Sequence, residues 1–204
     1  MSKMNLPNKL TLFRLFMVPF CVAAILIPES VLRADIASVV ALVLFVAAAV
    51  TDALDGKIAR KYHLITDFGK FMDPLADKFM VIGAMMAVVY KNDCIRPWFF
   101  WVMFAVVFRE LAITSLRLIL VSSEAHLVVA ADILGKIKTV CQMVCVCAVL
   151  IEPTIIGLFD NVPEWMTTYP PLSFVFSMLT VLFTVWSGVD YFVKYGKYLD
   201  ADKK

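Results

Sequence analysis

The sequence predicts an all-α integral membrane protein, six transmembrane helices in a single domain spanning residues 1–204. Three observations predict it. Of the 204 residues, 62% are hydrophobic and the mean hydropathy is +0.85, whereas a water-soluble domain of this length needs far more polar surface around its core. Apolar runs close to the ~20 residues that cross a bilayer as a helix recur near 9–27, 36–57, 70–90, 97–120, 133–151 and 170–193. Polar or proline-bearing breaks separate them, at IPESVLRAD, RKYHLIT, KNDCIRP, VSSEAHLV and EPTIIGLFDNVPEWMTTYPP.

Each span carries its own signal. The first follows basic residues, as a signal peptide would, but Arg14 and Pro19 interrupt it and no small-residue cleavage site follows, so it reads as a retained helix. The second, SVVALVLFVAAAVT, runs directly into aspartates, and the third, KFMVIGAMMAVVYK, runs out of them. The fourth begins with Trp98 and Trp101 and carries Arg109 and Arg117 inside it. The fifth starts with Lys136 and Lys138 and holds three of the five cysteines: Cys141, Cys145 and Cys147, with Cys21 and Cys94 elsewhere. With no C-x-x-C pair and only His63 and His126 as histidines, the cysteines read as small apolar residues and not as a zinc or redox site. The sixth ends in Ser187, Asp190 and Tyr191, which either line a cavity or anchor the helix end.

Orientation follows from charge. The loops after spans one, three and five hold only Arg33, Lys91 and Arg96 of the 19 lysines and arginines. The positive-inside rule therefore puts both termini, and the turn between spans two and three, in the cytoplasm of a cell with an inner membrane. Trp98, Trp101 and Trp165 then suit an outer interfacial belt. The net charge of +2 does not call for nucleic acid as a partner.

The second turn is the anomaly. Residues 52–77, DALDGKIARKYHLITDFGKFMDPLAD, contain five aspartates in 26 positions. The hydrophobic pattern reaches Thr51 and resumes at Phe68, so Asp52, Asp55, Asp73 and Asp77 fall within helix ends and only Asp67 reads as a loop residue. Asp52, Asp55, Gly56, Ala59 and Arg60 share one helical face by spacing, and Gly69, Asp73 and Asp77 share another. Each charge at depth costs about 2.5–3.5 kcal/mol on the lenient insertion scale, so a cation must neutralise them. Oxygen donors without His or Cys select Mg2+ or Mn2+, and four carboxylates suffice for two ions, the arrangement that clamps both oxygens of a phosphoryl displacement. Gly56, Ala59 and Gly69 leave room for a phosphate or for close helix packing, and Arg60 can fork onto a phosphate.

Asp52-x2-Asp55-Gly56-x2-Ala59-Arg60-x8-Gly69-x3-Asp73-x3-Asp77 resembles the signature of the CDP-alcohol phosphotransferase family, with every position filled. A six-helix chain of this length is similar to that family throughout. The resemblance implies attack of an alcohol on the β-phosphorus of a CDP-linked lipid, with release of CMP. It implies Asp52, Asp55, Asp73 and Asp77 as ligands of two divalent ions, with Asp77 also the general base. It assigns Gly56, Ala59, Arg60, Thr66 and Gly69 to the CDP-lipid, and implies a homodimer among membrane lipids.

The acceptor must be read elsewhere. Arg109 lies more than two turns inside its span, and Arg117, eight residues on, is about 80° away around the helix. With Lys136 and Lys138 at the cytoplasmic mouth, these form a polyanion pocket that an acceptor carrying its own phosphate needs. Glu110 beside Arg109, and Asp132 four residues before Lys136, offer internal partners instead. The stretches NLPNKLTLFR, DPLADK, RE and GKIKTVCQ resemble the bacterial branch of the family whose acceptor is glycerol 3-phosphate. That resemblance implies CDP-diacylglycerol as donor, Asn8 and Thr11 near the nucleotide, and Arg14 with Arg109, Arg117, Lys136 and Lys138 around the acceptor phosphate. Inositol phosphate, phosphatidylglycerol and serine are the alternative acceptors, and a cation transporter using the aspartates is the alternative of another class.

Overall fold

A computed structural model of the chain describes residues 5–62, 67–122, 133–159 and 161–196, with the side chains of 6–7, 53, 55–61, 67–68, 70–71 and 121–122 outside the description. Six long helices appear among the described residues: α1 (Leu6–Leu26), α2 (Ala34–Lys61), α3 (Asp67–Lys91), α4 (Arg96–Ser122), α5 (Ile133–Ile156) and, after the short α6 (Glu164–Thr168), α7 (Pro171–Tyr195). Five of them, α1, α2, α4, α5 and α7, contain stretches long and apolar enough to cross a membrane. The sixth, α3, is uninterruptedly apolar only from Phe79 to Tyr90, because its first half carries the signature. The chain is a multi-pass membrane protein.

The helix ends differ from the sequence expectation for local reasons. α1 starts at Leu6 because Pro7 sits in its first turn, where a missing N–H costs nothing. α2 continues through the aspartates to Lys61, and α3 begins at Asp67, so Asp67 belongs to a helix and not, as its position suggested, to the loop. α5 runs past Pro153 to Ile156. Glu152 holds it there, with Oε1 accepting from the backbone N–H of Leu172 (2.8 Å) and Oε2 from the N–H and hydroxyl of Ser173 (2.6 Å each). A carboxylate on the open N–H groups of α7 satisfies the charge and the helix start together.

α1 packs on α2 and α3, α2 also on α5, α3 on α4 and α5, and α7 on α4 and α5. Lys91 Nζ donates to the carbonyl of Ile27 (3.1 Å), which fixes the ends of α3 and α1 together. Small residues let backbones approach: Ala37, Ala41 and Ala48 are buried on one face of α2, and a Cβ at Gly83 would meet Val18 and Val22 at 3.4 Å, so α1 and α3 touch closely. Phe45, Met80, Met85, Phe99 and Val106 fill the core. α7 is inside out by the standards of a soluble helix. Ser173, Ser177, Thr180, Thr184 and Ser187 are buried along one stripe while Leu172, Val175, Leu182, Val185 and Val189 are exposed, as lipid contact demands. Trp101 and Trp165 are exposed as an interfacial belt requires. Trp98 instead turns inward, stacking on Tyr169 and donating from Nε1 to the carbonyl of Thr168 (3.0 Å).

Candidate active site

The signature end of the bundle gathers carboxylates from two helices around a side chain of a third. Arg14, one turn past Thr11 on α1, is fully buried. Its Nη1 forms an ion pair with Oδ1 of Asp52 on α2 and lies 2.8 Å from Oδ1 of Asp77 on α3. Thr11, also buried, donates from Oγ1 to Oδ1 of Asp73 (2.6 Å). Thus α1 provides one cation and one hydroxyl to three acidic side chains, each reached across a helix interface. Buried Asn8 lies one turn before Thr11, and buried Gly69 one turn before Asp73. Pro74 stands inside α3 directly after Asp73. Lacking an N–H, it cannot close the helical hydrogen bond to the carbonyl of Lys70.

Asp55, Gly56, Ala59 and Arg60 continue α2 beyond Asp52, but their side chains lie outside the description, as does Thr66 altogether. Among the described residues, no three acidic, histidine or cysteine side chains are grouped as a metal shell. The donor chemistry nonetheless fits a hard divalent ion. The donors are oxygen only, both Asp52 and Asp77 touch the same Arg14 nitrogen, and one guanidinium leaves three carboxylates with surplus negative charge. Their side chains are also not sealed in: Asp52 is 30% and Asp77 36% exposed.

Asp77 also borders a cavity of about 510 Å3 between α3, α4, α5 and α7. Arg109, Arg117, Lys136 and Lys138 all line it, together with Ser187 and Tyr191. The geometry therefore brings together four of the five residues expected around an acceptor phosphate. The fifth, Arg14, is not on that wall; it sits among the carboxylates. The cations of the cavity are not equivalent. Lys138 is buried and paired with Glu110 Oε1, which also lies 3.3 Å from Arg109 Nη1, while Glu110 Oε2 is 3.9 Å from Lys78 Nζ. Glu110 thus ties α3, α4 and α5 together and takes up part of their charge, whereas Arg117 and Lys136 stand more open to solvent. Asp190, at the cavity edge, pairs with Lys194 one turn on (2.6 Å). Asp132, the other internal partner considered for Lys136, lies outside the described residues.

Sequence reasoning missed Lys78 and the link from Thr11 to Asp73. Lys78 follows Asp77 directly and reaches Thr114 Oγ1 on α4; only its adjacency to the signature could have drawn notice. A further groove of about 460 Å3, chiefly apolar, runs between α4 and α7 past Arg109, Ile113 and Gly188.

Comparison with known proteins gives the family. The family described as CDP-alcohol phosphatidyltransferase matches residues 4–186. A CDP-diacylglycerol–glycerol-3-phosphate 3-phosphatidyltransferase of Bacillus subtilis is 38% identical over 197 residues, covering 93% of this chain and 94% of that protein. A probable phosphatidylglycerophosphate synthase of Mycobacterium tuberculosis is 36% identical over 190 residues, 92% of this chain and 79% of its own. A CDP-diacylglycerol–glycerol-3-phosphate 3-phosphatidyltransferase of Wigglesworthia glossinidia brevipalpis is 32% identical over 189 residues, 90% and 96% respectively. The signature aspartates, the helical frame that presents them and these matches have one common reading: the chain belongs to the CDP-alcohol phosphatidyltransferase family.

Proposed function

We propose that the chain transfers a phosphatidyl group from CDP-diacylglycerol to sn-glycerol 3-phosphate, giving phosphatidylglycerophosphate and CMP. One observation carries this reading. Asp77 belongs both to the carboxylate cluster and to the wall of a cavity lined by four cationic side chains. A group that can take a proton therefore stands between a place for the donor diphosphate and a place for an anionic acceptor.

The acceptor's primary hydroxyl attacks the phosphorus that carries diacylglycerol. A new O–P bond forms, the diphosphate P–O bond breaks, and CMP leaves with that electron pair. Asp77 receives the hydroxyl proton. Asp52, Asp55, Asp73 and Asp77 would hold two Mg2+ or Mn2+ ions, which would supply Lewis acidity that lowers the hydroxyl's pKa and offsets charge on the leaving phosphate. Arg14 holds Asp52 and Asp77 together, and Thr11 orients Asp73. Arg109, Arg117, Lys136 and Lys138 receive the acceptor phosphate. Asn8, Gly56, Ala59, Arg60, Thr66 and Gly69 belong to the donor side.

The basic loops favour a cytoplasmic active site in the cell membrane, and the resemblance favours a homodimer. The family match replaces the cation-transporter alternative. Release of CMP from CDP-diacylglycerol by the purified protein in detergent, with glycerol 3-phosphate competing against inositol phosphate, serine and phosphatidylglycerol, tests the reading. Turnover that prefers an acceptor without a phosphomonoester would overturn it.

A further inference from the structure

A smaller cavity, of about 150 Å3, lies next to the large one between α3, α4 and α5. Asp77, Glu110, Lys138 and Thr139 border both spaces, so the two meet along a common wall. Gln142 lines only the smaller one among these two, one helical turn from Lys138 on the same face of α5. It is 3% exposed, and among the described residues its Nε2 has no hydrogen-bond partner. Buried amides are rarely left so, because the unmade bond forfeits the water it gave up. The charged groups around the pocket already have partners: Lys138 and Arg109 on Glu110, Lys78 on Glu110 and the Thr114 hydroxyl, and Asp77 on Arg14. The remaining lining, Pro74, Val81, Ile82, Val106 and Met143, is apolar. With Lys78 and Lys138 on its wall balanced by Asp77 and Glu110, such a pocket suits a small neutral polar group better than a second anion. The volume exceeds what one water occupies.

We propose that Gln142 is a specificity-determining residue that donates a hydrogen bond to the non-reacting hydroxyl of a short polyol phosphate. The phosphate of that acceptor lies in the basic cavity, and its reacting hydroxyl lies at Asp77. This assignment rests on the function proposed above and adds the means by which the site tells a polyol from a simple hydroxyalkyl phosphate. A site built to bond a hydroxyl rejects the analogue that lacks it far more strongly than an apolar pocket would.

The test compares sn-glycerol 3-phosphate with 3-hydroxypropyl phosphate, the same acceptor without its middle hydroxyl, by CMP release from the full-length protein in detergent with CDP-diacylglycerol and Mg2+. The wild type should prefer the glycerol compound by about tenfold or more in kcat/KM, and Gln142→Leu should bring that ratio close to one. Because a ratio is read, partial loss of folded protein cancels, and the near-isosteric Gln142→Met serves if the leucine variant does not survive purification. A ratio unchanged from wild type in both variants, or a wild-type ratio near one, overturns the assignment and leaves Gln142 to packing or water. Failure of the wild type to release CMP with either phosphate overturns the proposed function itself, and this inference with it.

Discussion

Arg14 and Asp77 are joined across the α1–α3 interface, the Nη1 of a fully buried guanidinium lying 2.8 Å from a carboxylate oxygen of a side chain that also lines the large cavity. The same nitrogen contacts Asp52. Removing the cation leaves two acidic groups facing each other. Breaking one partner of a buried pair costs roughly 3–5 kcal/mol, and the partial exposure of both aspartates reduces this to about 2 kcal/mol. Arg14→Leu should therefore lower the thermal unfolding midpoint in detergent, and added Mg2+ should recover part of the loss. A variant as stable as wild type in metal-free buffer would show that the guanidinium does not hold the cluster together.

Arg117 lines the large cavity, is exposed, and among the described residues has no carboxylate contact of the kind that occupies Arg109 and Lys138. If it meets the acceptor phosphate, Arg117→Ala removes one charge-assisted contact worth about 1.5–3 kcal/mol. The KM for glycerol 3-phosphate should rise about tenfold or more, while the KM for CDP-diacylglycerol stays within about twofold. Equal effects on both substrates would count against that placement.

Glu152 secures the opposite end of the bundle, where three hydrogen bonds reach the first turn of α7. Glu152→Ala exposes the N–H groups it satisfies and should cost about 2–4 kcal/mol of stability, with Glu152→Gln intermediate. Activity per folded molecule should not change, since the residue is remote from the signature. Loss of turnover without loss of stability in either variant would contradict this structural role.

The donor chemistry predicts metal dependence. Chelation with EDTA should abolish CMP release, and Mg2+ or Mn2+ should restore it. Asp73→Ala, which also removes the carboxylate that accepts from the Thr11 hydroxyl, should raise the metal concentration needed for half-maximal rate. Full activity after exhaustive chelation would remove the ions from the account.

Much of this arrangement was legible in the sequence because its determinants are local. The spacing of Asp52, Asp73 and Asp77 within helix ends follows from periodicity along single helices, and Arg109 and Arg117 were paired by the same arithmetic. What was not legible depends on neighbours distant in sequence. Nothing near Arg14 reveals that its partners are 38 and 63 residues away. Nothing near Glu152 reveals that it carries α5 past a proline by meeting α7. The short α6 has too few residues for a periodic signal, and Trp98 looked like a belt residue until Tyr169 and the carbonyl of Thr168 supplied an inward partner. Gln142 belongs to the same class: its meaning depends on a cavity built by α3, α4 and α5 together.

The central claim is that Asp77 takes the proton of the attacking alcohol. The most direct measurement is CMP release by Asp77→Asn beside wild type, in detergent with CDP-diacylglycerol, glycerol 3-phosphate and saturating Mg2+. Asparagine preserves shape but cannot accept the proton, so the rate should fall by about 100-fold or more while the protein stays folded and monodisperse. A folded Asp77→Asn protein that turns over within about threefold of wild type would contradict the account.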